Sequence, residues 1–194
     1  STIKPLVVYS PAIAAGWSIT DTLPNTVQDY NGYAPNNYAG IVREDFPMYY
    51  ALAYSYNIPA VYLMDQIGIS KGISYGKKFG LNLDSVKEEL GSALGGGVTT
   101  SPLKMAQAYA TFANGGVRPT AHLITRIENA SGAVVASFKE KSSRVISQSV
   151  SDKMTSMMLG TYSNGSAVNA NAYGYTLAGK TGTVEADFNA DLTS

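Results

Sequence analysis

Ser1-Thr2-Ile3-Lys4-Pro5 (STIKP) opens the chain with a hydroxyl three residues ahead of an amine. On a helix, positions i and i+3 share a face, so Lys4 reaches the hydroxyl of Ser1. A serine hydroxyl is a weak nucleophile until a base takes its proton, and a lysine is that base when burial or a nearby cation lowers its pKa. The same spacing recurs at Ser74–Lys77 and Ser101–Lys104, so the pair alone equally describes a solvated helix start. Two origins compete for Ser1: a true amino terminus with its own α-amino chemistry, or an internal serine laid bare by cutting a longer chain.

Working outward, a short helix is expected from Ser1 to just before Pro11, which places Ser1 at a helix N-terminus. Residues 16–46, with Pro24, Pro35, Gly32, Gly40 and several Asn, read as mostly loop. Helical pattern returns over Pro47–Tyr54 and again from Pro59 to Ile67, where Gly68 ends it, so Ser55-Tyr56-Asn57 falls at a joint between helices. A further helix is expected from Ser70 to Phe79, closed by Gly80. A glycine-rich turn, GSALGGGVTTSP (91–102), then leads to the helix LKMAQAYATFANGG (103–116), ending at Gly115. HLITRIENASGAVVASF (122–138) reads as a hairpin turning at Ala130-Ser131-Gly132. SVSDKMTSMMLGTYS (149–163) reads as a helix capped by Ser151, and YGYTLAGKTGTVE (173–185) as a last strand, its core running from Tyr175 to Glu185.

Composition narrows the chemistry. With 45% hydrophobic and 14% charged residues, 194 residues suffice for one domain with a real core. Fourteen basic residues balance fourteen acidic ones, so the long-range field on which nucleic-acid binders depend is absent. There is no cysteine, and His122 is the single histidine, which removes thiol chemistry and leaves no soft-ligand cluster; neither a metal nor a cofactor is expected. The most apolar early stretch, PLVVYSPAIAAGW (5–17), is broken by Ser10 and Pro11 and is shorter than the roughly 20 residues a spanning helix needs. Neither a membrane span nor a signal peptide's basic leader is expected, and this segment should make no membrane contact of its own.

Two further groups carry polar chemistry. Ser55-Tyr56-Asn57 is the only S-x-N in the chain. A hydroxyl and a carboxamide two residues apart in an extended turn face one cleft, one relaying a proton and the other bonding a substrate amide; the plainer reading is that Ser55 or Asn57 caps the helix at Pro59. In Lys180-Thr181-Gly182-Thr183, Gly182 leaves a strand edge unobstructed, while Lys180 offers a cation and the two threonines offer hydroxyls to a carboxylate. The alternative is a glycine-weakened edge strand with a solvated lysine.

Taken in order, Ser1-x-x-Lys4, Ser55-x-Asn57 and Lys180-Thr181-Gly182 resemble the active-site set of penicillin-binding proteins and serine β-lactamases. ALAYSYNIPAV (51–61), VTTSPLKMAQAYATFANGGV (98–117) and LAGKTGT (177–183) extend the likeness over nearly the whole chain, toward the transpeptidase domain of class A, Gram-positive-type penicillin-binding proteins. The resemblance implies an α+β, β-lactamase/transpeptidase-like fold and a DD-transpeptidase that crosslinks peptidoglycan stem peptides and is acylated by β-lactams. Ser1 would attack the carbonyl between two terminal D-alanines, Lys4 would be the base, and Ser55 would pass the proton to the leaving D-alanine. Asn57 would bond the substrate amide. Lys180, Thr181 and Thr183 would hold the terminal carboxylate beside Gly182, and the backbone N–H groups of Ser1 and Thr183 would form the oxyanion hole.

The family's sheet includes strands before the catalytic serine and after the lysine-threonine-glycine strand. Residues 1–194 are therefore expected to be one transpeptidase domain, incomplete at both ends, whose sheet the rest of the parent polypeptide completes. On this reading Ser1 is an internal serine, and an upstream segment anchors the protein at the outer face of the bacterial cytoplasmic membrane. Three rivals stay open. The first replaces the amine acceptor by water, as in a carboxypeptidase or β-lactamase, with Glu44 as a loop glutamate to weigh. The second makes the α-amino group of Ser1 the base, as in an N-terminal nucleophile hydrolase. The third is an isolated piece that only binds and packs, without catalysis.

Overall fold

The computed structural model describes residues 2–38, 40, 44–139 and 141–183. Every residue from Ile3 to Ile13 is buried, so the first helical segment is wrapped on all sides, as expected of a run with no polar stripe. It begins as a π-type turn over Pro5–Tyr9, in which the Ser10 N–H reaches back to the Pro5 carbonyl, and continues as α1 (Ser10–Ala14). The helix thus runs past Pro11, where the sequence placed its end. Pro11 sits in the first turn of α1, where its missing N–H is no loss, and the wide π spacing just before it accommodates its ring.

Packed against this central segment are α3 (Ile58–Ile67), α4 (Ile69–Lys78) and α6 (Gln148–Ser163), while α2 (Met48–Ala53) packs on α6 and α3, and α5 (Pro102–Ala113) on α6. Their shared core contains Leu6, Val8, Leu52, Leu63, Met64, Phe79 and Met154, each fully buried. Truncating Leu6 to alanine in so closed a site costs about 3 kcal/mol. The helices match the sequence reading within a residue or two, the joint at 54–57 included. Residues Leu90–Leu94 form a 3-10 turn that leads into the expected glycine-rich turn at 95–97.

Among the described residues, three two-stranded antiparallel ladders complete the fold. β1 (Thr22–Leu23) pairs with β2 (Phe46–Pro47) across the long loop region, and β3 (Val117–Pro119) pairs with β6 (Ser142–Arg144). β4 (Arg126–Glu128) and β5 (Val134–Ser137) form the expected hairpin, whose turn is held by Asn129 Oδ1 accepting from the Ser131 and Ala133 N–H groups at 3.1 and 2.9 Å. β3 and β6 were not legible in the sequence.

Two expectations fail. The cap of α6 is Ser147, whose Oγ accepts from the Val150 N–H at 3.2 Å, while Ser151 is fully buried one turn in and donates to the Phe112 carbonyl at 2.9 Å, tying α6 to α5. And no strand is formed over 173–183; residues 184 and 185 lie outside the described residues. A strand exists only through a hydrogen-bonded neighbour, and among the described residues none runs beside this segment. It lies instead along α6, with the Gly179 N–H donating to the Met158 carbonyl at 3.3 Å.

Candidate active site

Lys4 is fully buried, and the α2–α3 joint closes around its ammonium. Nζ donates to the carbonyls of Ser55 (2.7 Å) and Tyr56 (3.1 Å) and to Asn57 Oδ1 (2.7 Å), and lies 3.4 Å from Ser55 Oγ, a long contact. The joint makes this possible by turning sharply: Ser55 sits at φ +61°, a left-handed conformation rare for a side-chain-bearing residue, which aims successive carbonyls at one point. Neutral, the amine would keep two N–H donors for its two 2.7 Å acceptors and present its lone pair to a third group.

Burial strips water from Lys4, and the positive charge of Lys180 adds repulsion; together they lower its pKa to about 7. Lys180 is itself lowered to about 8 by burial. At neutral pH the pair therefore holds one amine ready to take a proton beside another that is mostly charged. Lys180 Nζ donates to the Thr181 carbonyl and to Thr181 Oγ1, both at 3.2 Å, and Thr181 Oγ1 is also 2.8 Å from Ser166 Oγ. The threonine hydroxyl read from sequence as free for a carboxylate is thus engaged within the protein.

Close backbone approaches set these parts side by side. A Cβ on Gly165 would stand 2.5 Å from the Ala53 carbonyl oxygen, and the Ser166 N–H donates to that oxygen at 3.0 Å, so the end of α6 is fastened to the end of α2 just before Ser55. A Cβ on Gly182 would meet Thr2 Cγ2 at 2.7 Å, which brings the 180–183 segment against the opening turn. From the other side, the Tyr109 hydroxyl of α5 donates to the Thr2 carbonyl at 2.7 Å.

The structure therefore brings together Lys4, Ser55, Asn57, Lys180, Thr181 and Gly182 of the residues singled out by sequence. Thr183 is exposed at the end of the described segment, and Ser1 lies outside the described residues. Asn57 occupies the N-cap position of α3, as the plainer reading required, yet its side chain makes no capping bond. Sequence reading missed Asn25, Asn36, Asn37, Tyr109 and Ser166, whose contacts hold the site in place. Only the Asn-rich stretch before α2 hinted at them, and that stretch read as surface loop.

The family model described as the penicillin binding protein transpeptidase domain matches residues 1–189. Penicillin-binding protein 2a of Streptococcus pneumoniae is 55% identical over the whole chain, and penicillin-binding protein 1F of Bacillus subtilis is 38% identical over 94% of it. The chain spans about a quarter of the length of these relatives, 27% and 25% respectively. Among solved structures, penicillin-binding protein 1A of Haemophilus influenzae superposes with a TM-score of 0.77 over 92% of this chain and 31% of its own, at 21% identity. Penicillin-binding protein A of Mycobacterium tuberculosis, as a ceftriaxone acyl-enzyme, gives 0.80 over 96% and 47%, also at 21% identity.

Proposed function

The chain belongs to the penicillin-binding protein transpeptidase family, and from that premise we propose that it carries the reactive corner of a peptidoglycan DD-transpeptidase acting outside the cytoplasmic membrane. Residues 1–194 are then part of a transpeptidase domain of class A type. The rest of that domain supplies sheet neighbours to the segment from Tyr175 onward. Donor stem peptides ending in D-alanyl-D-alanine, and the β-lactams that mimic them, are the substrates and inhibitors.

In this mechanism Lys4 Nζ takes the proton of Ser1 Oγ as that oxygen attacks the donor's penultimate carbonyl. The peptide C–N bond then breaks, Ser55 Oγ–H protonates the departing amine of D-alanine, and Ser55 is reprotonated from the Lys4 ammonium. An acceptor amine repeats the sequence in reverse, replacing Ser1 and forming the crosslink. Asn57 keeps one Nδ2–H for the donor's amide carbonyl, since its other N–H donates to the Asn36 carbonyl at 2.8 Å. Lys180 attracts the terminal carboxylate, with Thr181 and Thr183 beside it and Gly182 leaving the approach open. The backbone N–H groups of Ser1 and Thr183 stabilise the oxyanion, each such donor being worth about 3 kcal/mol of barrier.

The observation that supports this reading is the fully buried Lys4, held by the Ser55 carbonyl and Asn57 Oδ1 at 2.7 Å, where burial, and then Lys180, lower its pKa to about 7. A fluorescent penicillin applied to the intact protein tests it: a covalent, detergent-stable label is expected, lost in Ser1→Ala. Absence of label from the intact wild-type protein overturns the reading. Rapid, catalytic hydrolysis of nitrocefin would move the assignment to a β-lactamase.

A further inference from the structure

Asn57 stands where an asparagine normally caps its own helix, by bending its side-chain oxygen onto the N–H groups of the first turn. Here that oxygen faces Lys4 instead. A residue twenty positions earlier grips the backbone at this point: Asn37 Oδ1 accepts from the Asn57 N–H at 2.7 Å and the Ile58 N–H at 3.1 Å, the first two donors at the head of α3. Asn37 is itself held. Its Nδ2 donates to Asn25 Oδ1 at 2.8 Å, and the Asn25 N–H donates to Asp45 Oδ1 at 3.1 Å. Asn37 and Asn25 are 8% and 1% exposed, so these amides have little water to fall back on. On the other flank the Asn36 carbonyl takes one Nδ2–H of Asn57, so neighbouring loop residues grip both the backbone and the side chain of Asn57.

We propose that Asn37 is a positioning residue: by holding the N–H groups of Asn57 and Ile58, it fixes the backbone of the joint so that the Asn57 carboxamide holds Lys4 and faces the substrate. Without that grip the backbone at Asn57 is no longer fixed, Lys4 loses one of its two closest acceptors, and the donor amide loses its fixed partner. Asn25 and Asp45 act one step further out, keeping the Asn37 oxygen turned toward α3.

This inference rests on the proposed acylation chemistry, and its test separates the two. The second-order rate of acylation by a fluorescent penicillin is measured on the intact protein and on Asn37→Ala, Asn37→Asp, Asn57→Ala and the double variant Asn37→Ala/Asn57→Ala, with a thermal melt for each. Asn37→Ala is expected to lose about tenfold in rate, a hydrogen bond to a charged or reacting group being worth that much. Asn37→Asp, which keeps the double acceptor but loses the bond to Asn25, should recover part of it. In the Asn57→Ala background the Asn37 change should slow acylation less than twofold, because there is no Asn57 carboxamide left to position. Should Asn37→Ala not fold, Asn37→Ser, whose shorter hydroxyl cannot serve both N–H groups, takes its place with the same expected order. Equal rates for Asn37→Ala and wild type, or additive losses in the double variant, overturn the inference while leaving the acylation chemistry intact. An unlabelled wild type would instead remove the proposed function.

Discussion

Lys4 and Lys104 share a sequence context, a serine three residues earlier and a proline next to the pair, and the protein treats them oppositely. At the start of α5, Ser101 and Lys104 are both exposed, and the Ser101 Oγ accepts the Lys104 backbone N–H at 3.3 Å: an ordinary helix cap. Ser74–Lys77 is similar in kind, its lysine paired at the surface with Asp84 at 2.8 Å. Lys4 is fully buried, surrounded by oxygens from a joint 51 to 53 residues away, and displaced in pKa by burial and by Lys180. Spacing alone does not set a lysine's surroundings; desolvation and long-range partners do.

The sharpest way to break that comparison is to remove each lysine in turn. Lys4→Met should slow penicillin acylation of the intact protein by about a thousandfold, within the range for a general base, and Lys104→Met should leave the rate unchanged. Comparable losses from both would show that the two contexts are not distinct. Next comes Lys180→Met, expected to cost tens of fold through a lost charge-assisted contact to the drug's carboxylate. It should also raise the pKa of Lys4 by removing a neighbouring positive charge, so the acid limb of the rate profile should move to higher pH. In the wild type, acylation should climb as pH rises through about 7, where Lys4 loses its proton. It should decline above about 8, where Lys180 becomes neutral and no longer attracts a carboxylate. A flat profile between 6 and 9 would contradict both assignments. The smallest effect is on the ordinary pair: Ser101→Ala should lower stability by about 1 kcal/mol in a denaturant titration, with no change in acylation.

Much of this was legible in the sequence, for local reasons. Periodicity with Pro and Gly punctuation gave α2 to α6 nearly to the residue, and the hairpin at Ala130–Gly132 followed from turn chemistry. The misses are places where distant contacts decide. Ser151 has the composition of a cap but serves α5 from inside α6, and Pro11 is absorbed by a π-type turn that no spacing rule anticipates. YGYTLAGKTGTVE has strand character throughout, yet pairing is a property of two segments and not of one. Within the site, the residue types were readable but their companions were not. Asn25 and Asn37 sit in a loop without periodicity, and only folding reveals that they hold the head of α3.

The hydroxyl of Tyr109, donating to the Thr2 carbonyl across 107 positions of chain, has a bearing on how the molecule assembles. Closing so large a loop is entropically expensive and slow compared with forming any single helix. The oxygens around the Lys4 amine are likewise brought from 51 to 53 positions away, so the opening turn owes its setting to contacts between distant parts of the chain.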